Sequence, residues 1–341
     1  MNNGTVTAMN PLVSVLVPNY NHERFLPQRM DSILAQTFRD YELIALDDCS
    51  TDNSREVLSR YAQKTRMRLQ FNERNGGTPF KQWQLGASLA SGKYLWIAES
   101  DDYADPRLLE VLVSRLESNP AVGLAYCQSY AVDEHNHVSG TWEHWTRPVD
   151  ATRWRQDFVN RGPDEVARYL VQRNTVPNAS AVVVKKDLLI RAVQGAERMR
   201  LAGDWWTWVR VLLESDVAFV AEPLNYFRSH GRSTRDTTKL ATACAEEFSI
   251  QAYVCDHVKV DRALRKRVFQ DTFYKWQKAL EPADFRTQPG WLGRVHSDAR
   301  RVHGSATVRM GWVLIKRALK RIGVVAAAVQ AYRSLRSRRA G

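Results

Sequence analysis

An α/β fold with a mostly parallel central sheet flanked by helices, followed by a helical C-terminal region, is what this sequence predicts. Three observations lead there. Short apolar runs, typical of strands buried on both faces, alternate with amphipathic stretches through residues 12–130. The strand–helix–strand spacing suits right-handed crossovers between parallel strands. Beyond about residue 237 strand patterns stop and only helical ones continue.

The elements follow in order. Residues 12–18 (LVSVLVP) are the first strand, and a helical stretch then runs to about residue 36, with Phe25, Met30, Ile33 and Leu34 on its apolar face. Residues 41–46 are the second strand, ending in Asp47-Asp48, and Ser50 or Thr51 caps a helix over 51–63. Residues 68–71 form a weaker strand. The turn Asn75-Gly76-Gly77-Thr78-Pro79 opens a helix over 80–90. Residues 94–98 are the fourth strand, stopped by Glu99-Ser100-Asp101-Asp102; a helix over 106–118 and a strand over 123–130 follow. Residues 133–160, rich in Trp, His and Arg, read as a long functional loop. Strands are expected at 179–184, 217–220 and 225–228, and a helix at 204–214. The expected organisation is one domain over 11–235, in halves 11–130 and 131–235, and a helical region over 236–341.

Composition narrows the class. With 44% hydrophobic and 25% charged residues over 341 positions, disordered, collagen-like and low-complexity classes are excluded. Cys49, Cys127, Cys244 and Cys255 are scattered, without the spacing of a disulfide framework or a zinc site, which points to a reducing cytosol. The first ten residues lack the pattern of a secretory signal, and no apolar run of about 18 residues is long enough to span a bilayer. The net charge is +12, yet eleven positive charges and no negative ones follow Asp298, so the body is almost neutral and the tail is a cation.

In open parallel sheets ligands bind at the carboxyl ends of strands. Both acidic clusters, Asp47-Asp48 and Glu99-Ser100-Asp101-Asp102, fall at such ends. Clustered carboxylates repel unless a cation compensates them, and oxygen ligands of this kind suit Mg²⁺ or Mn²⁺. No GxGxxG and no GxxxxGK[ST] is present, which argues against a dinucleotide-binding dehydrogenase and a P-loop NTPase.

These pieces resemble the family 2 glycosyltransferases of the GT-A fold. The resemblance is carried by Val15-Leu16-Val17-Pro18-Asn19-Tyr20-Asn21, Ser32-Ile33-Leu34-Ala35-Gln36-Thr37-Phe38, Asp47-Asp48-Cys49-Ser50-Thr51-Asp52, and Gly92-Lys93-Tyr94 leading into Glu99-Ser100-Asp101-Asp102. It covers about residues 11–235, and makes 11–130 the nucleotide-binding half and 131–235 the acceptor half. It implies a nucleotide-diphosphate-sugar donor, with uridine or thymidine the favoured base, a divalent metal, and sugar transfer to an acceptor hydroxyl with inversion. By position, Pro18 and Tyr20 form the base and ribose pocket, Asp48 hydrogen-bonds the base with Asp47 beside it, and Asp101 and Asp102 touch ribose and coordinate the metal. Glu99 stands where many relatives carry the first Asp of Asp-x-Asp. Lys81 is placed to approach the diphosphate, or is simply a solvated helix residue.

Two later motifs also match. Gly203-Asp204-Trp205-Trp206 resembles the family's acidic catalytic motif, and an inverting displacement needs one base to remove the acceptor proton. The same Asp204 also suits a helix N-cap. Tyr226-Phe227-Arg228-Ser229-His230 resembles the late Tyr-Arg-x-His segment, making His230 a metal or diphosphate contact and Arg228 a stabiliser of the leaving group. Trp142, Trp145 and Trp154 are candidates for the acceptor site or for packing.

Val308, Trp312, Ile315, Leu319, Ile322, Ala326 and Val329 recur at helical spacing, with Lys316, Arg317, Lys320 and Arg321 between them. A basic amphipathic helix over about 305–335 suits an anionic membrane interface, expected at the inner face of the cell membrane; the family resemblance implies a lipid-linked glycan of surface-polysaccharide synthesis as acceptor. Packing on the enzyme body and a coiled-coil dimer are the alternatives. Two rival functions remain at this level. A sugar-nucleotidyltransferase shares the topology but needs a Gly-rich loop after the first strand, which is absent. A basic nucleic-acid-binding protein is opposed by the confinement of charge to the tail.

Overall fold

The computed structural model describes residues 10–230, 240–280 and 290–321. It has two compact units, the described parts of Met1–Thr238 with His257–Lys259, and those of Lys239–Asp256 with Val260–Gly341.

The first unit is built on a sheet whose first half reads directly from the apolar runs. Strand β1 (Val13–Asn19) is buried along its whole length, between β2 (Tyr41–Asp47) and β4 (Tyr94–Ile97), both parallel to it; β3 (Arg68–Phe71) extends the array beyond β2. The crossovers are α1 (Leu26–Leu34), α2 (Ser54–Lys64) and α3 (Pro79–Leu89). Pro79 opens α3 behind Thr78, whose hydroxyl accepts from the Phe80 N–H, as a cap and an N-terminal proline should.

The second half departs from a parallel array. After β5 (Tyr103–Ala104) and α4 (Leu108–Ser118) comes the long β6 (Val122–Val132). The segment read as a loop instead contributes β7 (Val138–Thr141), a short helix α5 (Glu143–Thr146) and β8 (Phe158–Asn160), then α6 (Gly162–Glu165). Strand β9 (Val182–Lys185) lies antiparallel between β4 and β6, and is followed by α7 (Lys186–Ala192) and α8 (Gly203–Glu214). The two strands expected at 217–220 and 225–228 are one, β10 (Asp216–Arg228), with its register shifted around Pro223, which has no N–H to give to the ladder. The order is β3-β2-β1-β4-β9-β6-β10-β5, with β7 on β6 and β8 on β10. The core lies under β1, β2, β4 and β6, where Val15, Met30, Ile33, Trp96 and Leu112 pack with almost no exposure.

In the second unit α9 (Leu240–His257), α10 (Arg262–Ala279), α11 (Trp291–Val302) and α12 (Ala306–Arg321) gather Phe248, Phe269, Trp276, Val295 and Met310 into one core. Here a single apolar face was expected for the last helix, and the structure shows two. Ala306, Met310 and Val313 turn inward, whereas Val308, Trp312 and Ile315 are 76%, 54% and 52% exposed. Of the remaining stripe, Ile322, Ala326 and Val329 lie outside the described residues, as do Arg333 to Arg339.

Candidate active site

The parallel register brings Asn19 opposite Asp47, and the Ala98 N–H donates to the Leu16 carbonyl, so both acidic clusters arrive at the same sheet edge. Their chemistry differs.

Asp47 is wholly buried in side chain, and its oxygens accept from Asn19 Nδ2 (2.9 Å), Ser50 Oγ and Arg55 Nε (2.7 Å). Burial raises its pKa, but the Arg55 guanidinium and the Ser50 bonds outweigh that and hold it below the ordinary carboxylate value. Asp48, 4% exposed, accepts from Asn72 Nδ2 (2.8 Å), the Gly76 N–H (2.9 Å) and Gln82 Nε2 (2.7 Å). A Cβ on Gly76 would sit 3.3 Å from the Asp48 carboxylate, so glycine allows this close approach. Asp48, expected to bond the base, and Asp47 beside it are both engaged by their own chain: Asp47 binds Arg55 of α2, and Asp48 ties the 72–78 loop to the first turn of α3. Lys81, in the first turn of α3, is exposed and donates to the Gly76 carbonyl (2.9 Å). Pro18 is buried within β1, and Tyr20, just past it, is 46% exposed.

The second cluster is less balanced. Glu99 accepts from Trp83 Nε1 (2.9 Å), and burial, with the charge of Asp101, pushes it up to about 8. Asp102, 2% exposed, is raised to about 7 by the same two causes and accepts the Arg228 N–H (2.9 Å). Asp101 is opposed by burial too, but the His230 hydrogen bond (3.1 Å) and the charges of His22 and His230 hold it at about 2. His230 is correspondingly raised by Asp101, while burial lowers His22.

His22, Asp101 and His230 each offer a ligand atom, all within 4.8 Å of one another. Of the residues expected at the metal, Asp101 and His230 belong to this group; Asp102, whose carboxylate accepts the Arg228 N–H, does not, and His22 joins it instead. Sequence reading passed over His22, although it directly follows the Asn19-Tyr20-Asn21 motif; its Nδ1 lies 2.8 Å from Ser100 Oγ. Two imidazole nitrogens and one carboxylate oxygen fit a first-row ion such as Mn²⁺ better than Mg²⁺, which prefers oxygen.

Arg228 also differs from expectation. It is 2% exposed, and its guanidinium donates to the Asp101 and Asp133 carbonyls, Asn136 Oδ1 and Gln28 Oε1. It ties α1 and the 133–136 turn to the acidic loop, and has no exposed face for a leaving group.

Asp204 lies in the first turn of α8, half-buried; its oxygens accept from Asn174 Nδ2 (2.9 Å) and the Trp205 N–H (2.7 Å). The Asn174 carbonyl in turn takes Trp145 Nε1 (2.8 Å). Trp142 and Trp154, buried at 5% and 3% exposure, are packing residues rather than ring platforms. The helix start is seated on α3: a Cβ on Gly203 would fall 2.4 Å from the Phe80 ring, and Trp208 lies against Trp83, the partner of Glu99. Two aromatic side chains thus join the Asp204 helix to the acidic cluster.

Residues 14–169 match the family model described as Glycosyl transferase family 2. The glycosyltransferase GlyG of Streptococcus pneumoniae is 36% identical over 33% of this chain and 38% of its own, and the uncharacterized glycosyltransferase EpsJ of Bacillus subtilis is 34% identical over 50% and 51%. The matches therefore span about half or less of these two relatives. Staphylococcus aureus TarS 1–349 with UDP-GlcNAc superimposes with a TM-score of 0.66 at 16% identity, over 87% of this chain and 83% of that one. The mannosyltransferase PcManGT of Pyrobaculum calidifontis, with GDP-Man and Mn²⁺, gives 0.54 at 16%, over 96% and 84%. The fold is GT-A, and residues 14–169, somewhat under half of the chain, are similar to the family 2 glycosyltransferases.

Proposed function

We propose that the protein transfers a sugar from a nucleotide-diphosphate donor to an acceptor hydroxyl, with inversion. The observation that carries this reading is the gathering of His22, Asp101 and His230 within 4.8 Å at the carboxyl edge of a family 2 domain. A divalent ion held there, Mn²⁺ before Mg²⁺, supplies positive charge against the departing diphosphate. Tyr20 is exposed to stack on the base, for which uridine or thymidine is our reading; the UDP complex of TarS supports it. Lys81 approaches the diphosphate from the first turn of α3. Asp204 takes the acceptor proton, and Asn174 and the Trp205 N–H fix its direction.

The acceptor we favour is a lipid-linked glycan of surface-polysaccharide synthesis, reached from the inner face of the membrane. Exposed Val308 and Ile315, and the wholly cationic sequence after Asp298, support peripheral attachment. No helix among the described residues is long and apolar enough to cross a bilayer.

The test is release of sugar from a panel of UDP-, dTDP- and GDP-sugars with Mn²⁺, with Mg²⁺ and in EDTA. Turnover of one donor with Mn²⁺ and none in EDTA is expected; full activity in EDTA sinks the metal assignment. Sedimentation with anionic but not neutral vesicles, partly reversed by salt, is expected of the full chain. Indifference to both vesicles removes the membrane reading and leaves the chemistry standing.

A further inference from the structure

Beneath the acidic cluster lies a charge that the reaction does not use. Arg29, on α1, is 0% exposed. Its Nε donates to the Glu99 carbonyl (2.8 Å), and its guanidinium lies over Trp96 at 5.6 Å. Nη1 and Nη2 are buried and make no hydrogen bond among the described residues. Burying a cation without a bonded partner is costly. The charges within its electrostatic reach that favour it are Asp102, Asp101 and Glu99; Arg228 opposes it. Its compensation therefore acts through space, from whichever carboxyls of this cluster are ionised, in a low-dielectric interior where such coupling is strong.

We propose that Arg29 is the built-in counter-cation of this cluster: it keeps the carboxylates compatible with one another before a metal arrives, and its charge limits how tightly a divalent ion binds at His22, Asp101 and His230. A fixed positive charge under a metal site lowers the field the incoming ion meets, so the ion binds less tightly alone and gains more from arriving with an anionic diphosphate. Arg29 is thus a positioning residue and touches no substrate. The inference rests on the metal reading above.

The experiment compares wild type, Arg29→Gln, which keeps a donor and loses the charge, and Arg29→Lys, which keeps the charge. Mn²⁺ is titrated without nucleotide and free ion is followed by electron paramagnetic resonance; melting is measured in EDTA and with Mn²⁺. Arg29→Gln should bind Mn²⁺ about tenfold tighter than wild type, melt lower in EDTA and gain more from Mn²⁺, with Arg29→Lys within about twofold of wild type. Should Arg29→Gln be unfolded in EDTA, Mn²⁺ is expected to restore its folded circular-dichroism spectrum, and failure to do so overturns the proposal. Equal Mn²⁺ affinity in all three proteins, weaker binding by Arg29→Gln, or a Lys variant shifted as far as the Gln variant also overturns it. Wild type that binds no Mn²⁺, with UDP or without, overturns the metal reading itself, and is seen before any variant is made.

Discussion

The two acidic clusters sit at the ends of β2 and β4, on either side of β1, yet have opposite electrostatics. At the end of β2, Asp47 meets a guanidinium, an amide and a hydroxyl, and Asp48 meets two amides and a backbone N–H. Each carboxylate is satisfied by its own chain. At the end of β4, Glu99 and Asp102 are pushed up to about 8 and 7 while Asp101 is held at about 2, so neighbouring carboxyls are driven apart by burial and by one another. Groups held in that unequal state are poised for a ligand, whereas a satisfied carboxylate is a fastener. On the function proposed above, the difference separates scaffold from working site, although both look alike as sequence.

Substitutions sharpen this contrast. The largest effect is expected at the working site: Asp101→Asn should lower transfer by at least ~10²-fold while melting changes little, since it removes the one carboxylate among the metal-holding groups. Asp204→Asn should cost a comparable ~10²–10⁴-fold in kcat with donor affinity unchanged. If kcat survives, the base is another group. Asp47→Asn should behave in the opposite way. Losing charge-assisted bonds in a buried setting should cost about 2 kcal/mol of stability, with kcat near wild type at a temperature where the variant is folded. An activity loss as large as that of Asp101→Asn, without destabilisation, would erase the distinction.

The pH dependence carries the same signature. Asp47 has a lowered folded pKa, so its contribution is fully present above the unfolded value near ~3.9 and is lost as pH falls through the folded one. Wild type should therefore lose more melting temperature than Asp47→Asn on acidification below about pH 4. Parallel acid limbs would contradict that origin. The smallest effect is expected at Tyr20. Being 46% exposed it adds little to the core, so Tyr20→Ala should change melting little and weaken the nucleotide by ~1 kcal/mol, about fivefold, in a binding titration. Unchanged affinity would place the base elsewhere.

Much of this was legible in the linear chain, for a physical reason. Strands buried on both faces must be apolar along their length, so β1, β2 and β4 announce themselves, and the residues just past them are by topology at the ligand-binding edge. That is why Asp47, Asp48, Glu99, Asp101 and Tyr20 were identified together. Local patterning says little about pairing direction or long-range partners. Strand β9 reads as an apolar run, and only its neighbours β4 and β6 make it antiparallel. Trp142 and Trp154 look the same in sequence whether they line a cleft or fill a core.

What tertiary structure alone decided is which side chains from distant segments share one small volume. His22 and His230 stand 208 positions apart, and nothing local to either marks it as the other's partner until α1 and β10 flank the acidic loop. Arg29 is one more helical arginine until α1 packs on the sheet and strips it of water. By itself the sequence determined which strands form and where their acidic ends fall, because apolar periodicity is a property of neighbours along the chain. Which carboxylates are satisfied and which are left in tension depends on charge, burial and distance in three dimensions, and these are set only when the sheet closes over them.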